Sequence, residues 1–335
     1  MLSSLSNTRT PSYQWLLESF PGVFLDYMDK DDVLVRSGDV ADTTQTQGQT
    51  KDMFGFKWRQ QDSFSSQAFE EKIASWMKEK YGDPSSYVHS FDAKPLVLDA
   101  GCGAGFAGFG YWEQIWDHIN YVGIDITDAV FVAKERALKK NLGHCAFIKD
   151  NLSHLPFNQP IFDIIFSEGV LHHTDSTEKT FSHLCQFLKK DGYFMFYVYR
   201  KKAPIREFTD DYIRELVSHF PPQEVWKKME PLTQLGKTLG ELNLEIDIPN
   251  DIDILGIPKG KIDIQRLFYW YIFKCYYSPE LSFDEMNHFN FDWYAPKNAF
   301  RHTEEELRQW CATNNLDVVY ENIELSGITM IGKKR

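Results

Sequence analysis

The sequence predicts an α/β fold in which helices cover both faces of a mostly parallel, doubly wound sheet. Two observations lead to this prediction. Short apolar runs alternate with amphipathic segments between residues 96 and 199, and a glycine-rich turn follows the first run. Strands that alternate with helices in this way pair in parallel. With 335 residues, 43% of them hydrophobic, the chain is long enough for one such core and a large insertion.

The elements of this core can be assigned in chain order. The predicted strands are 96–100, 121–126, 146–149, 161–166 and 193–199, and the predicted helices between them are 105–116, 128–142 and 177–188. A helix over 66–81 precedes the first strand, because its apolar residues recur with a helical period. Near the end, Thr303 and Glu306 form a capping-box pattern that predicts a last helix. Two closing strands, 317–325 and 328–332, follow it.

Two segments depart from this alternation and define the predicted domain organisation. The first 65 residues form an N-terminal arm or lid, in which Thr43 to Thr50 is polar and predicts a loop. The segment 201–300 is mostly helical and contains an aromatic-rich stretch over 263–277. The predicted units are an arm at 1–65, a core at 66–200, a helical cap at 201–300 and the remaining core elements at 301–335.

The turn after the first strand is the most informative stretch. Asp99 ends the strand, and glycines follow at positions 101, 103, 105 and 108. Glycine permits positive φ and lets a ligand approach the backbone closely. The last three glycines match the dinucleotide-binding spacing G-x-G-x-x-G, and Asp125 follows about 20 residues later. In that fingerprint, however, the glycines follow the strand directly, whereas here Asp99-Ala100-Gly101 intervenes.

The order of strand, acidic residue and x-Gly-x-Gly resembles motif I of the class I S-adenosylmethionine-dependent methyltransferases. Three later stretches resemble the next motifs of that family in the correct order: 121–126, 146–152 and 162–173. The resemblance implies a seven-stranded Rossmann-like sheet with a C-terminal β-hairpin. It also implies S-adenosyl-L-methionine as the cofactor, with S-adenosyl-L-homocysteine as the product.

The resemblance further implies a role for individual residues. Asp99 would lie near the methionine end of the cofactor, Asp125 would accept hydrogen bonds from both ribose hydroxyls, and Asp150 would accept one from the adenine amino group. The other implied cofactor-binding residues are Gly101, Gly103, Phe106, Ile126, Asn151, Leu152 and Glu168. The alternative for each acidic residue is ordinary strand-end or turn chemistry.

Catalytic and substrate-binding candidates are less specific. Methyl transfer is an in-line displacement that needs orientation, desolvation and in some cases a base. His172 and His173 follow the fourth strand and are candidates for that base, because imidazole titrates near neutrality; their alternative role is to support the loop. The candidate substrate contacts are Trp58, Arg200, Tyr294 and His302. The alternative role of Trp58 is a hydrophobic plug between the arm and the core, and that of Arg200 is a solvated surface charge. For Tyr294 and His302 the alternative is a rigid turn before a capped helix.

Composition narrows the classes of partner. Lysine and arginine number 36 against 48 acidic residues, a formal charge of −12, which argues against nucleic acid. The five cysteines form no C-x-x-C pair, and no metal site is predicted. We expect no membrane span and a cytoplasmic location, because there is no window of 18 apolar residues and no secretory pattern.

The leading hypothesis is methylation of a small organic molecule at oxygen, nitrogen or carbon. The alternatives on the same cofactor are a tRNA or protein methyltransferase and the transfer of a different group. Outside that class, the three-glycine spacing leaves an NAD-dependent oxidoreductase open, and motifs that bind a cofactor also allow a non-catalytic S-adenosylmethionine-binding protein.

Overall fold

A nine-stranded sheet forms the centre of the molecule. The computed structural model describes residues 11–37, 43–60, 63–64 and 66–335. The strands in chain order are β1 (Tyr27–Lys30), β2 (Val33–Arg36), β3 (Leu96–Ala100), β4 (Asn120–Asp125), β5 (Cys145–Lys149), β6 (Phe162–Glu168), β7 (Leu188–Tyr199), β8 (Glu245–Ile248), β9 (Gly260–Asp263), β10 (Leu316–Ile323) and β11 (Gly327–Lys334). The large sheet has the order β1-β2-β5-β4-β3-β6-β7-β11-β10, and β8 pairs with β9 in a separate hairpin.

Helices cover both faces of this sheet and build the segments above it. They are α1 (Gln14–Ser19), α2 (Gln45–Lys57), α3 (Gln67–Tyr81), α4 (Ser85–Val88), α5 (Phe106–Trp112), α6 (Ala129–Lys139), α7 (Thr177–Cys185), α8 (Pro204–Val217), α9 (Pro222–Glu241), α10 (Ile264–Leu267), α11 (Phe283–Tyr294) and α12 (Glu304–Thr313). The predicted capping box of Thr303 and Glu306 is present at the start of α12. Within the described parts of the chain, no helix is both long and apolar enough to cross a membrane.

The sheet confirms the predicted fold class, with nine strands in place of the seven expected because β1 and β2 of the arm extend it beyond β5. Strands β5, β4, β3, β6 and β7 are parallel, and the β10–β11 hairpin joins β7 in the antiparallel direction. Side chains alternate between two buried clusters, so that Val97 faces the helices α3, α5 and α6 while Leu98 faces α7 and α12. Because both faces are covered, the central strands β3, β4 and β5 are buried along most of their length. The ligand-binding edge is therefore the carboxyl end of the parallel strands.

The N-terminal arm contains more regular structure than its polar sequence predicts. Strand β2 pairs in parallel with β5, and β1 completes a hairpin at that edge of the sheet. The segment predicted as a loop from Thr43 to Thr50 begins α2 instead, with the Thr44 side chain accepting a hydrogen bond from the backbone N–H of Gln47. Distant partners stabilise this polar helix: Gln49 donates to the carbonyl of Ala295 over 2.9 Å. Composition alone could not reveal such partners.

The insertion is helical at α8 and α9, as predicted, but it also contains strands and extended chain. The β8–β9 hairpin follows α9, and the aromatic stretch leaves helical geometry after Ile272. Phe56 of α2 contacts Trp226 of α9 and Phe291 of α11, with ring centroids 6.1 Å and 5.7 Å apart. The arm and the insertion therefore pack against each other.

The N-terminal hairpin also fixes a loop at the ligand-binding edge. The Arg36 guanidinium donates to both oxygens of Asp150, each over 2.8 Å, and the Tyr27 hydroxyl donates to the same carboxylate. The Asp150 side chain is fully buried, while that of Arg36 is 25% exposed. A buried carboxylate that loses its cationic partner is strongly destabilising.

We therefore expect Arg36→Ala to lower the free energy of unfolding by about 3 kcal/mol, because it leaves the Asp150 charge buried and without its guanidinium. Urea unfolding followed by circular dichroism at neutral pH measures this change. The control is Arg308→Ala, which breaks an ion pair with Glu321 whose side chains are 43% and 37% exposed. That variant should lower the free energy of unfolding by less than about 1 kcal/mol. Equal losses in the two variants would contradict the role assigned to Arg36.

Candidate functional site

A cavity of about 560 Å³ lies at the carboxyl ends of the parallel strands. Three parts of the chain line it. The core contributes the glycine turn, residues at or after the ends of β3 to β7, and Glu324 and Ser326 between β10 and β11. The arm and α3 contribute residues within 47–80, and the insertion contributes residues within 266–292. Its volume is in the range of about 300–1,000 Å³ that is typical of small-molecule sites.

The glycine turn supplies one wall of the cavity. Gly101 and Gly103 have φ values of +86° and +51°, which side-chain-bearing residues rarely adopt. A Cβ on Gly101 would lie 2.3 Å from a methyl carbon of Val170, so the position has no space for one. The backbone N–H of Gly103 donates to Asp125 over 2.9 Å, which ties the turn to the end of β4. Phe106, at the start of α5, lines the same wall.

Two carboxylates, those of the buried Asp99 and the half-buried Asp125, flank this turn and line the cavity. Burial raises the pKa of the Asp99 carboxyl to about 7, against the opposing effect of a hydrogen bond from the Tyr121 hydroxyl. Burial also raises the pKa of Asp125, and hydrogen bonds from Thr127 and Gly103 oppose that shift. Ile126 lies beside Asp125 and lines the cavity as well.

The structure corrects the role expected of Asp150. Its carboxylate does not line the cavity, and both of its oxygens accept hydrogen bonds from Arg36, which belongs to an arm that the sequence did not predict to be ordered. Asp150 therefore holds the end of β5 in place and is not available to an adenine amino group. The neighbouring Asn151 and Leu152 do line the cavity.

Glu168 lines the cavity at the end of β6, and α3 supplies partners that the sequence did not indicate. The Lys80 ammonium forms an ion pair with Glu168, and the Tyr81 hydroxyl donates to the second carboxylate oxygen over 2.7 Å. The Lys80 ammonium also lies 3.6 Å from the centre of the Tyr197 ring. Lys80 and Tyr81 lie far from the motifs in sequence, and no local pattern marks them.

The two histidines after β6 have different environments. His173 lines the cavity, and its Nδ1 lies 2.6 Å from the carbonyl oxygen of Asn298, so Nδ1 carries the proton and donates. Burial lowers the pKa of His173 to about 4, which keeps the imidazole neutral at pH 7. His172 is fully buried outside the cavity, with its ring centroid 3.7 Å from that of Tyr199. The prediction that His172 could act as a base is therefore corrected.

Of the four substrate candidates, only Trp58 lines the cavity. Its indole packs on the glycine turn, 3.1 Å from where a Cβ on Gly103 would lie, and stacks on Phe106 with ring centroids 5.7 Å apart. Arg200 instead pairs with Glu304, and the His302 ring contacts Thr177 over 2.9 Å. Both lie outside the cavity because the bridge between residues 200 and 302 continues the sheet edge there.

Tyr294 also lies outside the cavity, since it is fully buried and its hydroxyl donates to Asp210 over 2.8 Å. Asp292, two residues earlier on α11, lines the cavity instead. Positions two apart are about 200° apart around a helix, so only one of the pair can face the cavity. The sequence therefore indicated the correct helix, α11, but the residue chosen lies on the face that points away from the cavity.

Asp292 belongs to a buried polar group that sequence reasoning missed. Burial would raise the pKa of Asp292, but the adjacent Lys57 ammonium, with which it forms an ion pair, holds it well below its usual range. The Tyr199 hydroxyl donates to its second oxygen over 3.2 Å. Lys274 and His288 line the cavity beside this group. The cavity thus has an acidic glycine-turn side and a side where cations and aromatic rings from the arm and insertion meet.

The comparisons with known proteins concern the part of the chain that contains the glycine turn. Residues 92–234 match a family model described as a methyltransferase domain. Sterol 24-C-methyltransferase erg6 of Schizosaccharomyces pombe is 27% identical over 176 residues, covering 50% of this chain and 42% of the relative. A tRNA U34 carboxymethyltransferase of Hydrogenovibrio crunogenus is 33% identical over 102 residues, covering 29% of this chain and 30% of the relative. The chain thus spans less than half the length of these two relatives.

Among solved structures, magnesium protoporphyrin IX methyltransferase from Synechocystis PCC 6803 with bound SAM aligns at a TM-score of 0.46 and 12% identity, covering 88% of this chain and 99% of that one. The family match, which includes the glycine turn, favours the methyltransferase interpretation over the dinucleotide-dependent oxidoreductase that the glycine spacing left open.

Proposed function

We propose that this chain is a class I S-adenosylmethionine-dependent methyltransferase and that it methylates a small organic molecule, because residues 92–234 match a methyltransferase domain. One observation carries this proposal: the glycine turn, the arm and the insertion line a single cavity. A cofactor held at the turn would face the acceptor inside a roofed space. A roofed cavity of this volume suits a small molecule better than a polymer.

The residues at the turn fit S-adenosylmethionine. Asp99 and Asp125 offer carboxylates to an amino group and to ribose hydroxyls, and the positive-φ glycines let the ligand approach the backbone. Ile126 and Leu152 offer apolar contacts to a flat ring. When bound, this cofactor supplies an electrophilic methyl group on a sulfonium. We do not assign Asp150 to the cofactor, because its carboxylate lies outside the cavity and each of its two oxygens already accepts two hydrogen bonds.

The opposite side of the cavity fits an acceptor and its proton. Aromatic rings exclude water there, notably those of Phe54, Tyr269 and Tyr276. His173 donates through Nδ1 to a carbonyl, which leaves the Nε2 lone pair free to accept a proton from a nucleophilic group. Its neutral state at pH 7 keeps that lone pair available. We assign His173, and not His172, as the base where the acceptor needs one.

A tRNA acceptor or the transfer of another group is the second candidate, since one relative is named a tRNA U34 carboxymethyltransferase. The formal charge of −12 argues against a polyanionic partner, because nucleic-acid binding rests on basic contacts to phosphates.

We expect Asp125→Ala to weaken binding of S-adenosylhomocysteine about 30- to 1000-fold, since it removes two charge-assisted hydrogen bonds worth about 2–4 kcal/mol together. Isothermal titration calorimetry measures the dissociation constant. Asp128→Ala is the matched control, because that carboxylate is 54% exposed, pairs with Lys149 and lies outside the cavity. An unchanged affinity in a folded Asp125→Ala protein would contradict the assignment.

Cofactor affinity should also depend on pH through Asp99. With its pKa raised to about 7, the free carboxyl is mostly protonated at pH 6 and mostly ionised at pH 8, and only the ionised form pairs with the amino group of the cofactor. Affinity for S-adenosylhomocysteine should therefore rise roughly tenfold from pH 6 to pH 8, with release of a proton on binding. Titrations in buffers of different ionisation enthalpy measure both effects. Affinity that stays flat over this range, or an unaltered pH profile in Asp99→Asn, would refute this role.

The activity itself can be tested with methyl-labelled S-adenosylmethionine offered with three acceptor pools: a small-molecule cell extract, total RNA and total protein. Label should enter only the small-molecule pool. Incorporation into RNA or protein would contradict the proposal.

Two histidine variants sharpen the same assay. Removing a general base costs about 100-fold or more in rate, so His173→Gln should lower labelling by that factor for an acceptor that must lose a proton. His302→Gln, outside the cavity, should retain the rate. A loss of equal size in both variants would count against the assignment of His173.

A further inference from the structure

The insertion places a buried lysine in the cavity wall without an anionic partner. Lys274 is 8% exposed and lines the cavity. Across the described ranges of the chain, its ammonium has no carboxylate oxygen within 4 Å and no hydrogen-bond acceptor; the nearest ring, that of Trp293, has its centroid 4.8 Å away. An ammonium taken out of water without a partner is costly to the folded state.

The carboxylates near Lys274 already have partners. The charged groups that act on it are Asp292, Arg206, Asp210 and Lys57. Lys57 pairs with Asp292, and Arg206 pairs with Asp210 over 2.9 Å. Asp292 and Asp210 attract the Lys274 charge while Arg206 and Lys57 repel it, and neither carboxylate lies within ion-pair distance of its ammonium. Burial accordingly lowers its pKa to about 8, which still leaves it mostly charged at pH 7.

The position of Lys274 is fixed by buried side chains. Its backbone N–H donates over 2.8 Å to the Tyr294 hydroxyl, which in turn donates to Asp210. The next residues are held in the same way: Gln265 donates to the carbonyl of Cys275 over 2.6 Å, and the backbone N–H of Tyr276 donates to Asn290 over 2.8 Å. This extended segment outside any sheet is therefore held rigid, and Tyr294 acts as a positioning residue for Lys274.

We propose that Lys274 binds a carboxylate of the methyl acceptor, and that the acceptor is an aromatic carboxylic acid. The proposal rests on the proposed function, because it concerns the acceptor side of the same cavity. Carboxylic acids are ionised at neutral pH whereas phenols are not, so a carboxylate reaches the site already charged. The rings of Trp58, Tyr269 and Trp270 line the cavity with Lys274 and provide the apolar surroundings for a ring.

The pairing also provides specificity. A neutral analogue would leave the ammonium unpaired in the cavity, and a cationic one would be repelled. Discrimination between an acid and its amide is therefore the property that depends on Lys274, and it can be measured as a ratio within each variant.

The first test divides the small-molecule extract by anion exchange before adding protein and methyl-labelled S-adenosylmethionine. Label should enter products made from the anionic fraction, and Lys274→Met should lower that labelling at least about tenfold. Label only from the neutral or cationic fraction would overturn the role of Lys274 while leaving the methyltransferase proposal intact. Absence of label from every fraction would count against the proposed function, and the second test then decides on Lys274 alone.

The second test needs no turnover. Protein saturated with S-adenosylhomocysteine is titrated with benzoate, indole-3-acetate and 4-hydroxyphenylacetate, and with the primary amide of each. The parent protein should prefer at least one acid over its amide by about tenfold or more, which corresponds to about 1.4 kcal/mol. Lys274→Met should abolish this preference, and Lys274→Arg should keep it, because the cation remains.

Lys189→Met provides the matched control, since that lysine is 44% exposed, pairs with Asp163 and lies outside the cavity. It should leave the acid-to-amide ratio unchanged. A preference that survives in Lys274→Met, or no preference in the parent protein, would overturn the inference. Loss of the preference in Lys274→Arg would do the same, since it would indicate that the neutral amine of Lys274 serves as a base.

Discussion

The ion pair between the buried Lys57 and the partly buried Asp292 joins the two segments that line the cavity opposite the glycine turn. Lys57 ends α2 of the N-terminal arm, Asp292 lies on α11 of the insertion, and the Lys57 residue is only 4% exposed. Separating the arm from the insertion would leave the buried Lys57 ammonium without its carboxylate, and breaking such a pair is strongly destabilising. The pair therefore couples the docking of the arm to the position of the insertion. Both segments contribute to the wall of the cavity opposite the glycine turn.

Other ion pairs connect structural elements in the same way. Arg36 joins the arm to Asp150 on the core, Lys80 joins α3 to Glu168, and Arg206 and Asp210 pair within α8. The first two of these pairs connect elements that are distant in sequence. They fix the loops at the ligand-binding edge more by the cost of breaking them than by any net gain from forming them. Lys274 differs from these residues. Its backbone is held by a buried hydrogen bond, but within the described residues its ammonium has no ion-pair partner.

Local patterns predicted the core well and the cavity walls poorly, for a physical reason. The strand periodicity, the glycine turn and the capping box at Thr303 depend on neighbouring residues, and all were found. Such patterns could not show that Asp150 is occupied, because its partner Arg36 lies 114 residues away. Nor could they choose between Asp292 and Tyr294, since a helix face is selected by what packs against it. Lys274 lacked any signal: its segment is extended, and buried side chains from other elements hold its backbone.

The family match covers one side of the cavity and not the other. The family match covers residues 92–234, a range that includes Asp99, Asp125 and His173. Lys57, Lys274 and Asp292 lie outside it and form the opposite wall of the cavity. Cofactor chemistry is common to many enzymes on one fold, whereas the acceptor is selected by the parts that differ. The family match therefore bears on the group that is transferred, and the identity of the acceptor has to be sought in the charge and shape of the wall that the arm and the insertion build.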